Sequence, residues 1–150
     1  MRHTVAYSDR ELLARLIQCE AGGEGDIGMK AVAGVVMNRV NAPGGEYARV
    51  GQGSIRNIIY QPRQFVCAAE SVGGTYNPQN IYNMDPEQIH YDIADWAIAG
   101  NRIGDVAESL WFYNPFNHDC RHYFPSGVGY WQTTIGHHCF YNPTNAYWDT

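Results

Sequence analysis

The chain has 150 residues, a length typical of one domain with a substantial buried core. Its formal net charge is −5 and it has no run of basic residues, which excludes an electrostatic footprint for nucleic acid. No apolar stretch approaches the roughly 18 residues that a membrane span needs, and the opening MRHTVAYSDRELL has no apolar segment typical of a cleaved export signal. We therefore expect one domain with neither a nucleic-acid partner nor a membrane span.

The first predicted helix runs over residues 9–20 and ends in a glutamate on its apolar side. Ser8 and Glu11 form an S-x-x-E capping box at its start. Leucine and isoleucine residues follow at the i, i+3, i+4 spacing of a core-facing stripe, and Glu20 occupies the next position on that stripe. The Ala-Gly-Gly that follows is a strong helix stop. We therefore expect the Glu20 carboxylate to leave the last helical turn towards a cleft in the core.

A carboxylate in that position suits proton donation. Burial and the negative end of the helix dipole both disfavour the charged form of Glu20 and raise its pKa. A carboxyl group that stays protonated near neutral pH is what a general acid for glycoside cleavage requires. The alternative is a Glu20 side chain that rotates into water without a catalytic role, which is the commoner outcome for an arbitrary helix. Glu24, four residues later, is the second acidic candidate.

The next predicted elements are also helical. Residues 27–40 are apolar nearly all round until the last turn, which indicates a buried central helix. Ser54 caps a short helix, IRNIIY, and the Asp-Pro-Glu-Gln that starts at Asp85 predicts a further helix to about Ala99. The inward side of this last helix is predicted to carry Ile89, Ile93, Trp96 and Ala97.

Past Gly104 the sequence becomes aromatic and β-like. Two segments, WFYNP from Trp111 and CFYNP from Cys139, each consist of an aromatic run broken by Asn-Pro, which predicts a strand followed by a turn. We expect these strands to pair along one side of a cleft, with a loop over residues 114–134 between them. The predicted fold class is α+β and mainly helical, in one domain with a small aromatic-rich β element near the C-terminus.

Histidine and cysteine are concentrated in two clusters of the last third that could supply zinc ligands: His118, Asp119, Cys120 and His122, then His137, His138 and Cys139. Their spacing matches neither HExxH nor a zinc finger, so a disulfide between Cys120 and Cys139 is favoured over a metal. Cys19 and Cys67 lie in apolar sequence and are predicted to be small core residues. We therefore predict no metal site.

Four segments, in this order, resemble the SleB/CwlJ family of spore cortex-lytic enzymes: LLARLIQCEAGGEGDIGMKAVAGVVMNRV, IRNIIYQPRQF, LWFYNP and IGHHCFYNPT. The similarity covers nearly the whole chain, which looks closer to the CwlJ branch because it lacks N-terminal binding repeats. The resemblance implies a lysozyme-like fold of the lytic transglycosylase kind, with helices around a cleft.

The same resemblance implies a substrate and a location. The substrate is the peptidoglycan of the spore cortex, whose glycan strands carry muramic lactam, cut during germination. The implied location is the boundary between spore coat and cortex, with a spore coat protein as partner, for a protein made in the mother cell without a signal peptide.

The motifs of the family also fall on particular residues of this chain. The catalytic glutamate falls on Glu20, and the second acid of the E-A-x-G-E motif falls on Glu24. The residues implied to bind substrate are Gln61, Phe65, Tyr113, Asn114 and His138.

A lytic transglycosylase needs one strong acid, no cofactor and no attacking water. Glu20 protonates the glycosidic oxygen, and the muramyl 6-hydroxyl closes on the anomeric carbon. A two-carboxylate hydrolase needs a second acid roughly 5–9.5 Å away, and residues 60–68 and 110–116 carry no Asp or Glu. We therefore predict a transglycosylase in which Glu24 supports the site. The alternatives are a zinc-dependent N-acetylmuramoyl-L-alanine amidase and a non-catalytic glycan-binding coat module.

Overall fold

The computed structural model describes residues 6–114, 119–123 and 127–150. The described helices are α1 (Asp9–Ala21), α2 (Gly25–Val40), α3 (Gly45–Gly51), α4 (Ile55–Tyr60), α5 (Gln88–Ile98) and α6 (Cys120–Tyr123). The described strands are β1 (Ser71–Val72), β2 (Thr75–Tyr76), β3 (Trp111–Tyr113), β4 (Gly129–Ile135) and β5 (His138–Pro143). None of these helices combines the length and apolar composition that crossing a membrane requires. The zinc candidate His118 and the first residues, on which the export-signal argument depends, lie outside the described ranges.

Helix α1 follows its prediction closely. The hydroxyl of Ser8 accepts a hydrogen bond from the backbone N–H of Glu11 at 3.1 Å, and the leucine and isoleucine stripe is fully buried. The chain leaves the helix at Gly22, where a Cβ would lie 2.5 Å from the carbonyl oxygen of Gln18. Because only glycine allows this tight exit, the helix ends one turn past its apolar stripe, with Glu20 in that turn.

Helix α2 is the buried central helix that the sequence predicts. Helices α1, α3, α4 and α5 all pack against it, and its small residues let them come close. At Gly34 the side chain of Arg102 lies 3.1 Å from the place of a Cβ. The core around α2 therefore fixes the relative positions of the helices that border the cleft.

Helices α3 and α5 differ from the sequence analysis. Helix α3 is not predicted, because its seven residues are too few for a periodic pattern and Gly44 and Gly45 at its start are helix breakers. Helix α5 is capped by Glu87, with His90 completing the box, and not by Asp85. The buried face of α5 therefore differs from the predicted one. Ile89 is 42% exposed, so its predicted inward position is wrong. The other inward residues are Ile93 and Ala97, both buried, and Trp96, partly buried against the core.

The predicted pairing of the two aromatic segments is confirmed. Strand β3 runs antiparallel to β5, with Phe112 opposite Phe140. Strand β4 pairs with the other edge of β5, so the sheet order is β3-β5-β4. The predicted loop over residues 114–134 is therefore wrong in part, since it contains α6 and most of β4.

All four cysteines are in disulfides. The predicted bond between Cys120 and Cys139 is confirmed, with 5.6 Å between the Cα atoms. The prediction of free core cysteines at Cys19 and Cys67 is wrong, because these two are bonded to each other across a Cα–Cα distance of 6.1 Å. Their apolar surroundings are real, but folding brings together two segments that are 48 residues apart in sequence.

Candidate active site

One cleft of about 460 Å³ gathers most of the predicted site residues. This volume lies in the range of small-ligand sites. The predicted residues that line it are Glu20, Phe65, Tyr113, Asn114 and His138. The lining is contributed by the ends of α1 and α2, by α3, the segment after α4, strand β3 and the start of β5, and by the C-terminal residues Tyr147 and Thr150.

Glu20 is half-buried in the wall of this cleft. Burial raises the pKa of its carboxyl group, and this effect outweighs the backbone N–H of Cys67 and the cation of Arg39, which favour the charged form. The Cys67 N–H donates to Oε2 of Glu20 at 3.3 Å. The carboxyl therefore has the raised pKa expected from the sequence and the environment of a proton donor.

The disulfide between Cys19 and Cys67 lies directly beside the acid. It joins the last turn of α1 to the short 3₁₀ helix Val66–Ala68. Because Cys67 also supplies the N–H that bonds Glu20, the covalent link holds this donor close to the carboxylate.

Arg39 is a cleft residue to which the sequence analysis assigned no role. It is 3% exposed, and its Nε donates to the carbonyl of Leu110 at 2.7 Å. Its Nη1 donates to Oε1 of Gln64 at 3.3 Å, and the guanidinium lies over the rings of Tyr47 and Phe65 at 4.5 and 4.9 Å. A cation in the last turn of a helix that is apolar nearly all round was the signal that could have identified it.

Glu46 is a second carboxylate in the same cleft, which corrects the premise that Glu20 has no carboxylate partner there. Its Oε2 accepts a hydrogen bond from Nε2 of Gln61 at 2.8 Å, and its backbone N–H donates to the hydroxyl of Thr150 at 2.8 Å. It was missed because it lies on α3, which is not predicted. Gln61, implied to bind substrate, is not among the residues that line the cleft and instead donates to Glu46.

Glu24 lies outside the cleft lining and bonds the turn between β4 and β5. Its Oε1 accepts a hydrogen bond from the backbone N–H of His137 at 2.8 Å, and its Oε2 lies 2.9 Å from the ring Nδ1 of the same histidine. Burial opposes ionisation, but these bonds and the nearby His138 outweigh it, so the pKa of Glu24 is lowered. At Gly136 a Cβ would lie 2.4 Å from Oε1 of Glu24, and φ is 58°. Glycine there lets the turn close on the carboxylate.

His138 joins this turn to the cleft. Its ring is 5% exposed and packs edge-on against Phe112, with 5.2 Å between centroids. Burial lowers the pKa of His138, and the Glu24 carboxylate opposes this only in part. Nδ1 lies 3.6 Å from Oε1 of Glu24 and has no hydrogen-bond partner among the described residues. The imidazole is therefore neutral near neutral pH.

The aromatic side of the cleft continues from His138 to its rim. Phe65 is buried and stacks on Phe112 at 6.1 Å. Tyr113 is 37% exposed and packs its ring edge-on against Tyr141 at 5.7 Å. Asn114 follows on the exposed rim. These side chains offer one apolar face and several polar groups to a ligand.

The histidine and cysteine residues considered as zinc ligands do not form a zinc site in the part of the chain that the structure describes. Cys120 and Cys139 are bonded to each other, so neither offers a thiolate. In the part of the chain that the structure describes, no three His, Cys, Asp or Glu side chains are grouped as metal ligands. His118 and the side chain of His122 lie outside that part.

Sequence comparisons find relatives across nearly the whole chain. The Cell Wall Hydrolase family model matches residues 23–141. The chain is 35% identical to Cell wall hydrolase CwlJ of Bacillus subtilis over 91% of this chain and 87% of the relative. It is 34% identical to CwlJ of Oceanobacillus iheyensis over 91% and 87%. The Spore cortex-lytic enzyme of Bacillus subtilis matches at 29% identity over 72% of this chain and 30% of that protein.

Two solved structures share the fold. The catalytic domain of the germination-specific lytic transglycosylase SleB from Bacillus anthracis superposes with a TM-score of 0.63 at 22% identity, covering 93% of this chain and 98% of that one. The catalytic domain of the Bacillus cereus SleB protein gives a TM-score of 0.59 at 26% identity, covering 93% and 97%. The expected family resemblance and the α+β, lysozyme-like fold class are confirmed.

Proposed function

The chain belongs to the Cell Wall Hydrolase family, and we propose that it is a spore cortex-lytic enzyme that cleaves peptidoglycan glycan strands as a lytic transglycosylase, with Glu20 as general acid. The observation that carries the proposal is the half-buried Glu20 carboxyl, with a raised pKa, in the wall of the cleft. The names of the CwlJ and cortex-lytic relatives support the substrate class.

The reaction uses one carboxyl group twice. Glu20 gives its proton to the glycosidic oxygen as the bond from C1 to that oxygen breaks. The muramyl O6 then bonds to C1, and its proton passes to the Glu20 carboxylate, which restores the acid. Arg39 favours the charged form of Glu20 and so stabilises the carboxylate between the two transfers. The products are a free 4-hydroxyl and a 1,6-anhydromuramyl end, and no water is consumed.

The remaining predicted residues bind or position the sugar chain in this proposal. Tyr113 and Asn114 on the rim and the buried neutral His138 offer hydrogen-bonding groups, and Phe65 offers an apolar face. Glu24 positions His138 through the adjoining turn, and Gln61 holds Glu46.

Glu46 supports a second candidate function, a two-carboxylate glycosidase. A second acid in the cleft of Glu20 can activate water in place of the muramyl hydroxyl. The two reactions differ in one water per cut, so the mass of the products separates them.

We further propose that the enzyme acts at the boundary between spore coat and cortex, on strands that carry muramic lactam, and is held there by a coat protein. The spore-related names of the relatives support the spore location. Labelling the chain in sporulating cells and following its recovery with the coat fraction tests the placement; recovery in the mother-cell fraction alone would exclude it.

The test of the catalytic assignment is Glu20→Gln. Glutamine keeps the shape of the side chain but cannot deliver a proton, so we expect cortex lysis to fall by about 10²–10⁴-fold. The matched control is Glu108→Gln, since Glu108 is exposed and lies outside the cleft; it should keep wild-type activity. Half of wild-type activity in the purified Glu20→Gln chain would show that Glu20 is not the acid.

A further inference from the structure

Residues 61–64 form a β-turn at the mouth of the cleft. The N–H of Gln64 donates to the carbonyl of Gln61 at 3.3 Å, and Pro62 occupies the second position. Arg63 occupies the third position with φ of 66°. This is the left-handed region that a type II turn requires and that glycine occupies at least cost. The chain therefore carries a long cationic side chain where the backbone favours no side chain.

The guanidinium of Arg63 does not stabilise the fold in any contact that the structure describes. The residue is exposed, it lines the cleft, and no hydrogen bond or ion pair holds it within residues 6–114, 119–123 and 127–150. The other arginine of the cleft, Arg39, is buried and bonded to the protein on several sides. A strained residue whose side chain gives nothing to the fold and faces the cleft points to a role in binding.

The positive charge of Arg63 favours an anionic group as its ligand. The chain is acidic overall, with a net charge of −5, and the cleft also contains the carboxyl groups of Glu20 and Glu46. A polymer of muramic residues carries carboxylates on its stem peptides, and on each lactyl group that is closed neither by a stem peptide nor into a neutral lactam. The planar fork of a guanidinium matches a carboxylate with two parallel hydrogen bonds.

We propose that Arg63 is a specificity residue that binds a carboxylate of a muramic residue in the glycan strand, on its lactyl group or its stem peptide. The inference rests on the proposed function for the identity of the polymer. The inference adds anionic muramic residues, bound at the mouth of the cleft during cleavage, to the neutral muramic lactam residues that the enzyme is proposed to recognise.

Arg63→Gln tests the proposal on three preparations of soluble glycan: one that bears stem peptides, one freed of them by an amidase, and one whose carboxylates are converted to neutral methylamides. On the preparation that carries the recognised carboxylate we expect KM to rise about 3- to 10-fold with kcat unchanged. On the methylamide glycan Arg63→Gln and wild type should have the same KM. A rise of KM on the peptide-bearing glycan that disappears after amidase treatment assigns the stem peptide. A rise that appears only after amidase treatment, which frees the lactyl carboxyl from its amide bond, assigns the lactyl carboxylate.

The matched control is Arg49→Gln, because Arg49 is exposed on α3 and lies outside the cleft lining. It should leave KM unchanged on all three preparations. An equal rise of KM for Arg63→Gln on the neutral glycan, or no rise on any preparation, would overturn the proposal.

Two further variants separate this inference from the proposed function. The Kd of the same glycans for the Glu20→Gln chain, with and without Arg63→Gln, measures the contribution of the carboxylate contact to binding separately from catalysis. If Glu20→Gln stays active while Arg63→Gln selectively weakens binding of anionic glycan, the catalytic proposal fails and this one stands. Arg63→Gly should lose the same affinity and keep or raise Tm, since the turn favours glycine. A fall in Tm of several degrees would show that Arg63 serves the fold and would overturn the inference.

Discussion

Glu20 and Glu24 are four residues apart in sequence and lie in opposite environments. Burial raises the pKa of Glu20, whereas the hydrogen bonds from His137 lower the pKa of Glu24 although its partial burial opposes ionisation. Two carboxylates whose environments separate their pKa values commonly divide the roles of acid and charged support. Near neutral pH, Glu24 is the ionised support and Glu20 the group that retains a proton more readily.

The raised pKa of Glu20 has a consequence for stability. A carboxyl whose folded pKa lies above its unfolded pKa opposes folding once it ionises, because the unfolded chain ionises it at less cost. We therefore expect Glu20→Gln to leave Tm unchanged at pH 4 and to leave it unchanged or raise it at pH 8. Thermal unfolding across this range measures the difference, with Glu108→Gln as control. A Tm below that of wild type at pH 8 would contradict the raised pKa.

The lowered pKa of Glu24 has the opposite effect on stability. Its ionised form stabilises the fold above the unfolded pKa of a glutamate, and this contribution is lost as pH falls through the lower folded pKa. Glu24→Gln should therefore lower the free energy of unfolding at pH 7 by about 1–3 kcal/mol, because two donors of His137 lose a charged acceptor. Its lysis rate should fall less than that of Glu20→Gln. The difference in stability from wild type should shrink below about pH 4; a constant difference down to pH 2 would contradict the account.

Glu46→Gln tests whether Glu20 acts without a second carboxylate. The Oε2 of Glu46 accepts from Gln61, and a glutamine there keeps the shape of the side chain. If Glu46 only shapes the cleft, we expect kcat to fall less than about 10-fold, well short of the loss for removing a general acid or base. A loss as large as that of Glu20→Gln, measured on the same glycan, would make Glu46 the base of a two-carboxylate hydrolase.

At the scale of elements, periodicity and caps predict what local sequence controls. Helices α1, α2 and α4 and the pairing of β3 with β5 follow from apolar spacing, Ser caps and the repeated aromatic segments. Helix α3 does not, because its stability comes from packing: at Gly45, with φ of 73°, a Cβ would lie 2.4 Å from the ring of Tyr147. With α3 missing from the prediction, Glu46 was missing from the predicted cleft.

The two disulfides join different elements and should differ in their effect on activity. The bond between Cys19 and Cys67 holds the end of α1 beside the 3₁₀ helix whose Cys67 N–H bonds Glu20, whereas the bond between Cys120 and Cys139 joins α6 to β5. Replacing either pair by serine should lower the free energy of unfolding by about 2–4 kcal/mol. Only the Cys19→Ser, Cys67→Ser chain should also lose kcat, measured where both variants remain folded. Equal losses of kcat in the two variants would show that the first bond has no special relation to the acid.

At the scale of the molecule, the cleft joins helix α3 to the last residues of the chain. The backbone N–H of Tyr47 donates to the hydroxyl of Tyr147 at 3.0 Å, and Thr150 accepts from the N–H of Glu46. These contacts span about 100 residues of sequence, and no local pattern indicates them. The residues carried over by family resemblance fell in or next to the cleft, but the groups that hold them in place became visible only in the folded chain.

The most direct test of the central claim is the mass of the reducing ends made from cortex peptidoglycan in ¹⁸O-labelled water. A lytic transglycosylase that uses Glu20 as its acid gives 1,6-anhydromuramyl ends, one water lighter than hydrolysed ends and free of ¹⁸O. Hydrated ends that carry ¹⁸O would contradict the account and indicate hydrolysis with Glu46 as base. Intact glycan with freed L-alanine amines would indicate an amidase, and bound but uncut glycan a binding module.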